Sequence, residues 1–265
     1  RSLKNINLPD SLQRIDSCAF QSCSCLDNII IPNLVTAIDS FTFSRCSSLK
    51  NISLSNNVTT ISSYAFEYCS NLANFIIPDS VRAIGSYAFQ YCSVLDNIII
   101  PNLVTVINSY TFSHCKSLKN ISLSGKVTQI SNYAFEYCSN LADFIIPDSV
   151  GAIGLSAFRY CSVLDNIIIP HLVTMISSST FSHCTSLKNI SLSNSVTQIS
   201  NNAFEYCSNL SDFIIPNSVR SIGSYAFQYC SVLDNIIIPN LVTAINSYTF
   251  SHCTSLKNIS LSNSV

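Results

Sequence analysis

The sequence of 265 residues has little charge and no long apolar segment. Only 10% of its residues are charged, against roughly a quarter in ordinary soluble domains, and its net charge is −1. A chain without a basic excess offers no electrostatic footprint for nucleic acid or anionic lipid. Apolar runs such as Ile98-Ile99-Ile100 are far shorter than the ~20 residues that a membrane-spanning helix needs. We therefore expect no nucleic-acid partner and no membrane insertion of this segment.

The familiar catalytic motifs are also missing. The chain has no tryptophan, only five glycines, no glycine-rich phosphate loop, no H-E-x-x-H and no G-x-S-x-G. This predicts a protein that is not an enzyme and that needs no cofactor. The hydrophobic content of 48% is nevertheless enough to bury a large core.

A strict repeat organises what is present. The unit is L-x-x-[IF]-x-[IL]-[PS]-x-x-[VL]-x-x-I-x-x-x-[AT]-F-x-x-C-x-x, with phenylalanine recurring from Phe20 to Phe250 and cysteine from Cys23 to Cys253. Its first leucine returns at a constant step, at positions 3, 26, 49, 72, 95, 118, 141, 164, 187, 210, 233 and 256. Eleven full repeats (3–255) and a partial twelfth (256–265) therefore form a single repeat domain over 1–265, interpreted as a fragment of a longer array.

A longer period of three repeats lies on top of the first. Residues 95–163 and 164–232 differ at only 15 of 69 positions. The openings L-D-N-I-I-I-P, L-K-N-I-S-L-S and L-[AS]-[ND]-F-I-I-P alternate, and we call the three kinds of repeat isoleucine, serine and phenylalanine coils. An active site needs different groups converging once, so this regular recurrence also argues against catalysis.

Each repeat predicts one coil of a solenoid. In one isoleucine coil, Ile98 and Ile100 should point inward and Asn97 and Ile99 outward, since side chains alternate along a strand, and Pro101 should end that strand. A second short strand should follow, then a turn with positive φ at glycines 85, 154 and 223, and then a helical or 3₁₀ turn at Tyr-[AT]-Phe-x-x-Cys. The predicted fold is a solenoid of leucine-rich repeats. It is a right-handed coil with a parallel β-sheet on one face and short strands and 3₁₀ or helical turns on the other.

These repeats resemble the BspA-type leucine-rich repeat family, whose motif L-x-x-I-x-I-P-x-x-V-x-x-I-G-x-x-A-F-x-x-C-x-x covers essentially the whole chain. The repeat 72–94 matches it closely, apart from Phe75 at the first isoleucine place. The resemblance implies a cell-surface or secreted protein that adheres to host proteins and cells and has no catalytic residues. The serine coils depart from the motif by replacing its proline, which makes the end of the strand uncertain there; the positions are Ser55, Ser124, Ser193 and Ser262.

Cysteine and histidine are the remaining candidates for chemistry. Eleven cysteines share one inward position and are interpreted as a column of buried thiols, whereas Cys18 and Cys25 break the period and are the cysteines most suited to forming a disulfide or reacting. Three histidines recur once in every three repeats, too far apart to share a metal, and with a fourth at a corner we expect all to be exposed; they are His114, His183, His252 and His171. No metal site is predicted.

Three surface patterns leave alternatives open. Tyrosine pairs four residues apart, such as Tyr64 and Tyr68, fit either packing between coils or a binding surface. Aspartate and lysine should face each other across adjacent strands in the pairs Asp27–Lys50, Asp96–Lys119, Asp165–Lys188 and Asp234–Lys257. Of the Asn-x-Ser/Thr sequons, Asn57 at a corner suits glycosylation better than those within strands, which are Asn51, Asn120, Asn189 and Asn258.

The outward positions of the first strand are the candidate protein-binding face. One row is nearly all asparagine, and the row beside it forms an apolar stripe that fits either an interaction site or plain strand propensity. The twenty residues of this sheet face are Asn28, Ile30, Asn51, Ser53, Asn74, Ile76, Asn97, Ile99, Asn120, Ser122, Asp143, Ile145, Asn166, Ile168, Asn189, Ser191, Asp212, Ile214, Asn235 and Ile237.

Two functions fit these features. The first is a surface-displayed adhesion solenoid that binds a host or extracellular-matrix protein through the sheet face. The alternative is a structural spacer that displays another domain. Both chain ends lack a polar capping repeat, so we also expect a tendency toward end-to-end self-association.

Overall fold

The computed structural model describes residues 2–261 as a parallel β-solenoid with a repeat of about 23 residues. Each strand pair joins equivalent residues of neighbouring coils, for example Asn28 with Asn51 and Ile98 with Ile121. The strands are β1 (Asn28–Ile30), β2 (Ala37–Ile38), β3 (Asn51–Ser53), β4 (Thr60–Ile61), β5 (Ala83–Ile84), β6 (Asn97–Ile99), β7 (Val106–Ile107), β8 (Asn120–Ser122), β9 (Gln129–Ile130), β10 (Ala152–Ile153), β11 (Asn166–Ile168), β12 (Met175–Ile176), β13 (Asn189–Ser191), β14 (Gln198–Ile199), β15 (Ser221–Ile222), β16 (Asn235–Ile238) and β17 (Asn258–Leu261). The predicted fold class is confirmed.

Two faces of the solenoid carry strands. The sheet face holds the longer strands, which pair as β1–β3, β6–β8, β11–β13 and β16–β17. The second face holds two-residue strands in three groups, β2–β4–β5, β7–β9–β10 and β12–β14–β15. The predicted alternation is present in β6, where Ile98 is buried while Asn97 and Ile99 are exposed.

The strands of serine coils end at the same place as those that are followed by proline. β3 ends at Ser53 and β6 at Ile99, although only the second has a proline just beyond it. In the serine coils, the hydroxyl at the proline position instead accepts a backbone N–H two residues on, at 3.4 Å for Ser55 and 3.3 Å for Ser124 and Ser193. Such a turn closes the corner without proline. Ser262 lies outside the described residues.

A continuous dry core runs along the axis. Ile98 and Ile100, predicted to point inward, are buried, and so are Phe112 and Cys115 of the same coil. The phenylalanine rings stack from coil to coil, with centroids 5.4–5.7 Å apart between Phe20 and Phe250. Because each coil touches only its neighbours, this stacking holds the solenoid together.

The third side, which we call the turn face, differs from the prediction. No described residue there lies in an α-helix or a 3₁₀-helix; the Tyr-[AT]-Phe-x-x-Cys segment forms consecutive β-turns. Tyr87 and Tyr91 have φ of 62° and 61°. Their left-handed backbone lets the Tyr87 N–H donate to Ser109 of the next coil at 3.0 Å, while the Gln90 N–H closes a turn onto Tyr87 O at 3.1 Å. Hydrogen bonds between coils thus alternate along the segment with hydrogen bonds within a coil, and together they take the place of the bonds of a helix.

The predicted role of the glycines is also wrong. None of the glycines among the described residues has positive φ. Gly154 instead allows a close approach of the preceding coil, since a Cβ there would lie 2.5 Å from the Asn132 backbone nitrogen. The Asn132 Oδ1 uses this space to accept the Leu155 N–H at 2.9 Å.

The phenylalanine coils interrupt the sheet. Their pairing on the sheet face is reduced to single bridges, such as Asn74 with Asn97. At the inward position where other coils have isoleucine, the ring of Phe75 lies 5.0 Å from both Phe66 and Phe89, tilted by 60° and 64°. A ring wedged between two core rings is wider than isoleucine, so the backbone above it cannot follow the ladder on both sides. The sheet is therefore divided into pairs of strands.

Candidate protein-binding face

All twenty residues predicted for the sheet face are exposed. The isoleucines carry much of this surface, with Ile76 84% exposed and Ile237, the least exposed of them, 59%. The backbone holds them in place, because the residues on either side of each isoleucine are buried in the core. Exposed aliphatic side chains held in a row are a surface of the kind that marks interaction sites.

Asparagine amides tie the polar row together in pairs. The Asn51 Nδ2 donates to Asn28 Oδ1 at 2.6 Å, and the Asn120 Nδ2 to Asn97 Oδ1 at 2.7 Å. The bonds from Asn189 to Asn166 and from Asn258 to Asn235 are both 2.8 Å long. The amide nitrogen of every strand sequon is thus engaged, so a glycan there would break an intercoil hydrogen bond.

The corner sequon is engaged as well. The Asn57 Nδ2 donates to the Asn33 carbonyl at 2.8 Å. A glycan at Asn57 would also cost a hydrogen bond, and the advantage of this position is that it lies at a corner, away from the crowded row of strands. Glycosylation at Asn57 stays a prediction.

The apolar row is not the contiguous stripe that the sequence suggests. Serine replaces isoleucine in every third coil, so pairs of isoleucines alternate with notches floored by Ser53, Ser122 and Ser191. The notch at Ser122 lies between Ile99 and Ile145 and forms an open groove of about 510 Å³. The groove at Ser191 has about 350 Å³. Small serine side chains between larger isoleucines therefore give the face a repeated relief of ridges and notches. A further groove of about 350 Å³ lies at the last isoleucine pair, between Ile214 and Ile237.

The four predicted aspartate–lysine pairs face each other across adjacent coils, but within residues 2–261 only the first forms a side-chain ion pair. Lys50 Nζ lies 3.3 Å from Asp27 Oδ1, both side chains being well exposed. Among residues 2–261, the other three predicted pairs have no side-chain ion pair, although the Lys119 N–H donates to the Asp96 carbonyl at 2.8 Å. Backbone bonds rather than charges therefore fix the register, as expected for exposed pairs in water.

The turn face carries a continuous stack of aromatic rings. Neighbouring centroids are 4.2–4.4 Å apart throughout the series Tyr68, Tyr91, His114, Tyr137, Tyr160, His183, Tyr206, Tyr229 and His252. A second row of rings, from Phe41 to Tyr133, stacks at 4.4–4.6 Å. The tyrosines thus pack between coils, which favours the first of the two interpretations.

Two of the four histidines are not exposed as predicted. His171 and His252 are exposed, but His114 and His183 are half-buried because each replaces a tyrosine between two stacked rings. Burial lowers the pKa of His114, and Lys116 lowers it further. Burial also lowers the pKa of His183, with Glu205 opposing the shift and Arg159 adding to it. The sequence did hold a sign of the stack, because the step of 23 residues places these histidines at the position where neighbouring repeats have tyrosine.

Nine of the eleven column cysteines, from Cys46 to Cys230, are buried as predicted, whereas Cys23 and Cys253 at the two ends are half-buried. Each column thiol from Cys46 to Cys253 donates to the carbonyl oxygen of the phenylalanine 26 residues earlier, at 3.1–3.2 Å. Burial raises the pKa of Cys46 to about 12. Cys18 is exposed and Cys25 is half-buried, and all thirteen thiols are free. Residues 2–261 contain no group of three or more histidine, cysteine or carboxylate side chains that could hold a metal ion.

Comparison with known proteins gives a consistent assignment. A model of the BspA type leucine rich repeat region (6 copies) matches residues 1–96, 82–211 and 174–265. A leucine rich cell surface protein of Faecalibacterium prausnitzii is 30% identical, with a TM-score of 0.59 over 94% of this chain and 83% of that one. A leucine-rich repeat protein of Bacteroides ovatus is 26% identical, with a TM-score of 0.57 over 92% and 82%. A third, from Eubacterium ventriosum, is 21% identical and has a TM-score of 0.62 over 92% and 81%, which shows the shared fold.

No functionally curated protein matches the chain. Within the described residues, no helix is long and apolar enough to span a bilayer.

Proposed function

The chain belongs to the BspA-type leucine-rich repeat family, and from this premise we propose that it is a non-enzymatic adhesion scaffold at the cell surface or in secreted form. Its partner is a host or extracellular-matrix protein, bound through the twenty-residue sheet face. The similar solved protein from Faecalibacterium prausnitzii is itself called a cell surface protein, which supports the location.

The exposed isoleucines of the sheet face carry this proposal. Ile76, Ile145 and Ile214 are each more than four-fifths exposed, a costly arrangement for aliphatic side chains in water. The turn face is less suited to a partner, since most of its rings are engaged with one another. Strand propensity alone would account for isoleucine at these places, but threonine would serve it equally well.

The repetition of the face suits multivalent binding. One coil offers only a few contacts, and its affinity for a partner would be low. Several coils engaged by one partner act together, because binding at the first raises the effective concentration at the next. A regular solenoid can in this way hold a large or repetitive ligand firmly without any single deep pocket.

The test replaces Ile76, Ile99, Ile145 and Ile168 with serine, the residue that serine coils already carry at this position. We expect attachment of the purified chain to host cells or matrix protein to fall at least about tenfold. A matched control replaces the exposed leucines at the corners with serine in the same way, and this variant should attach normally. These leucines are Leu34, Leu103 and Leu172.

Two outcomes would count against the proposal. Unchanged attachment of the isoleucine variant would remove the sheet face from consideration. Failure of the unaltered chain to bind any host component would favour the structural spacer instead. Light scattering on each variant verifies that its oligomeric state is unchanged, and it also tests the predicted end-to-end association.

A further inference from the structure

The notches of the sheet face differ from one another in charge. The notches at Ser122 and Ser191 are lined by Asp143 and Asp212, respectively, on the following phenylalanine coil. The corresponding residue beside the notch at Ser53 is Asn74. Each notch thus has isoleucine walls, a serine floor and one polar group at its side, and in two of them that group is a carboxylate.

The two carboxylates are available to a partner. Asp143 and Asp212 are exposed, and neither forms an ion pair within residues 2–261. Asp212 accepts only a long hydrogen bond of 3.4 Å from the neighbouring Ser211 hydroxyl. Lys119 and Lys188 stand in the adjacent row on the preceding coils, where their backbones bond to Asp96 and Asp165. The two rows that make up the sheet face contain no basic residue.

From this relief we propose that the notches receive lysine or arginine side chains from one extended segment of the partner protein, with basic residues at positions i and i+4. This inference rests on the proposed function, because it names the kind of partner segment that the same face binds. The aliphatic stem of such a side chain packs between Ile99 and Ile145, and its charged end reaches Asp143. At the next notch, Ile214 and Asp212 line the groove, and Ile168 pairs with Ser191 on the adjoining strand.

The spacing of the notches selects an extended segment. Equivalent notches are three coils apart, which at the usual distance between paired strands is about 14 Å. Four residues of extended chain span about 13 Å, and residues i and i+4 of such a chain point to the same side. An α-helix covers about 14 Å in about nine residues, which places the two side chains on opposite sides of the helix. Helical residues on one side, such as i and i+7 or i and i+11, are about 10.5 or 16.5 Å apart, so an extended segment matches the notch spacing better than a helix.

The experiment uses synthetic peptides attached to a sensor surface and the full chain in solution at low salt. The peptides contain threonine and valine, which favour extended structure, and two lysines at i and i+4; a second set places the lysines at i and i+3. We expect the i+4 peptide to bind at least about threefold more tightly than the i+3 peptide. Removing both carboxylates, as D143N with D212N, should weaken its binding about tenfold, roughly threefold for each exposed ion pair.

The first notch supplies a variant that gains function. Introducing N74D should strengthen binding of a three-lysine peptide with lysines at i, i+4 and i+8 about threefold, and it leaves the isoleucine walls untouched. Added salt should reduce binding of the unaltered chain more than binding of the D143N, D212N variant, since exposed charges are screened. Equal binding of the i+3 and i+4 peptides, or no effect of the aspartate changes, would overturn the inference.

Cell attachment distinguishes this inference from the function on which it rests. If the isoleucine variant loses attachment while the D143N, D212N variant keeps it, the sheet face binds its partner without basic anchors and only the inference fails. If both variants attach normally, the proposed function fails as well. Loss of attachment in both, together with the peptide preference, supports both proposals.

Discussion

The thiol of Cys115 donates a hydrogen bond of 3.2 Å to the carbonyl oxygen of Phe89 in the preceding coil. The same carbonyl also accepts the Cys92 N–H at 3.1 Å, so the Phe89 oxygen joins two coils. Burial raises the pKa of Cys115 well above its usual value, and the neighbouring Cys92 raises it further. A thiol so placed is a packing group with a weak donor, far from the thiolate that reacts or binds metal.

Alkylation of the native protein should therefore separate the cysteines into two groups. At about pH 8 we expect the exposed Cys18 to react first with iodoacetamide and the half-buried Cys25 more slowly. The nine buried column cysteines, such as Cys115, should be modified only when the chain unfolds. Mass spectrometry of peptides after timed quenching measures this order, and a C18S variant identifies the fast phase. Modification of Cys115 at the rate of Cys18 in native buffer would contradict it.

Stability should depend on pH through the two stacked histidines. Because the pKa of His114 and His183 is lowered in the folded state, the unfolded chain binds more protons as the pH falls below about 6.5. We therefore expect the free energy of unfolding to decrease between pH 7.5 and 5.5. The measurement is a urea titration at each pH, for the native sequence and for a variant with H114Y and H183Y, the residue found in neighbouring coils.

The comparison between the two chains is what decides this prediction. Burial raises the pKa of Glu136, and Arg159 lowers it by a smaller amount. Glu136 therefore makes the folded state more stable as the pH falls toward the ordinary pKa of glutamate. That contribution is present in both chains and cancels in their difference. An equal pH dependence in the native and tyrosine-bearing proteins would show that the stacked histidines do not produce it.

The stack itself should contribute measurably to stability. Tyr137 lies between His114 at 4.4 Å and Tyr160 at 4.2 Å, whereas Tyr248 has one partner, Tyr225, at 5.0 Å. We expect Y137N, which removes two aromatic pairs, to cost about 1–3 kcal/mol and Y248N, which removes one, about 0.5–1.5 kcal/mol, since each pair contributes about 0.5–1.5 kcal/mol beyond its buried area.

Asparagine is chosen for both changes because the two tyrosines have positive φ, 60° and 59°, and Asn202 already occupies the same conformation at 57°. Backbone strain is thus the same in the two variants. Chemical denaturation gives both free energies, and equal costs at the two positions would rule out stacking as the cause.

The interrupted sheet gives a further prediction. Replacing Phe144 by isoleucine, the residue that isoleucine coils have at this place, removes the ring wedged between Phe135 and Phe158 at 5.0 Å and 4.9 Å. We expect F144I to lose about 1–3 kcal/mol of aromatic contact, from two ring pairs, and to extend strand pairing across residues 143–146. Hydrogen exchange should then show slower exchange of the amides in this segment. The control, I98F, places a ring in β6, and the amides of this strand should then exchange faster. Unchanged exchange in both variants would contradict the explanation that the wedged ring interrupts the sheet.

The sequence predicted the register and the core because both depend only on the period. A leucine at the same place in every repeat requires Asn28 to face Asn51, and the same step places each Phe beneath the next. The exposure of the sheet face followed from alternation along a strand whose other side is buried. These features depend only on the sequence of one repeat and on the constant step between repeats, so one repeat is enough to predict them.

The features that sequence reasoning missed arise between coils. Positive φ at Tyr87 is contrary to the intrinsic preference of tyrosine, and only the stacking of its ring on its neighbours and the bond from its N–H to Ser109 favour it. Phe75 looks like another inward apolar residue until its size is compared with the distance between core rings. His114 looks exposed until its neighbours in the stack are known.

The threefold pattern of coils has a consequence for how such a protein changes its length. A residue and its counterpart three coils later have the same neighbours, as the equal amide bonds at Asn189 and Asn258 illustrate. Removing or inserting one complete block of three coils joins surfaces that already fit, whereas removing or inserting a single coil would set two unlike coils side by side. Genetic gain or loss of whole blocks can therefore adjust the reach and the number of binding positions without any new junction having to evolve.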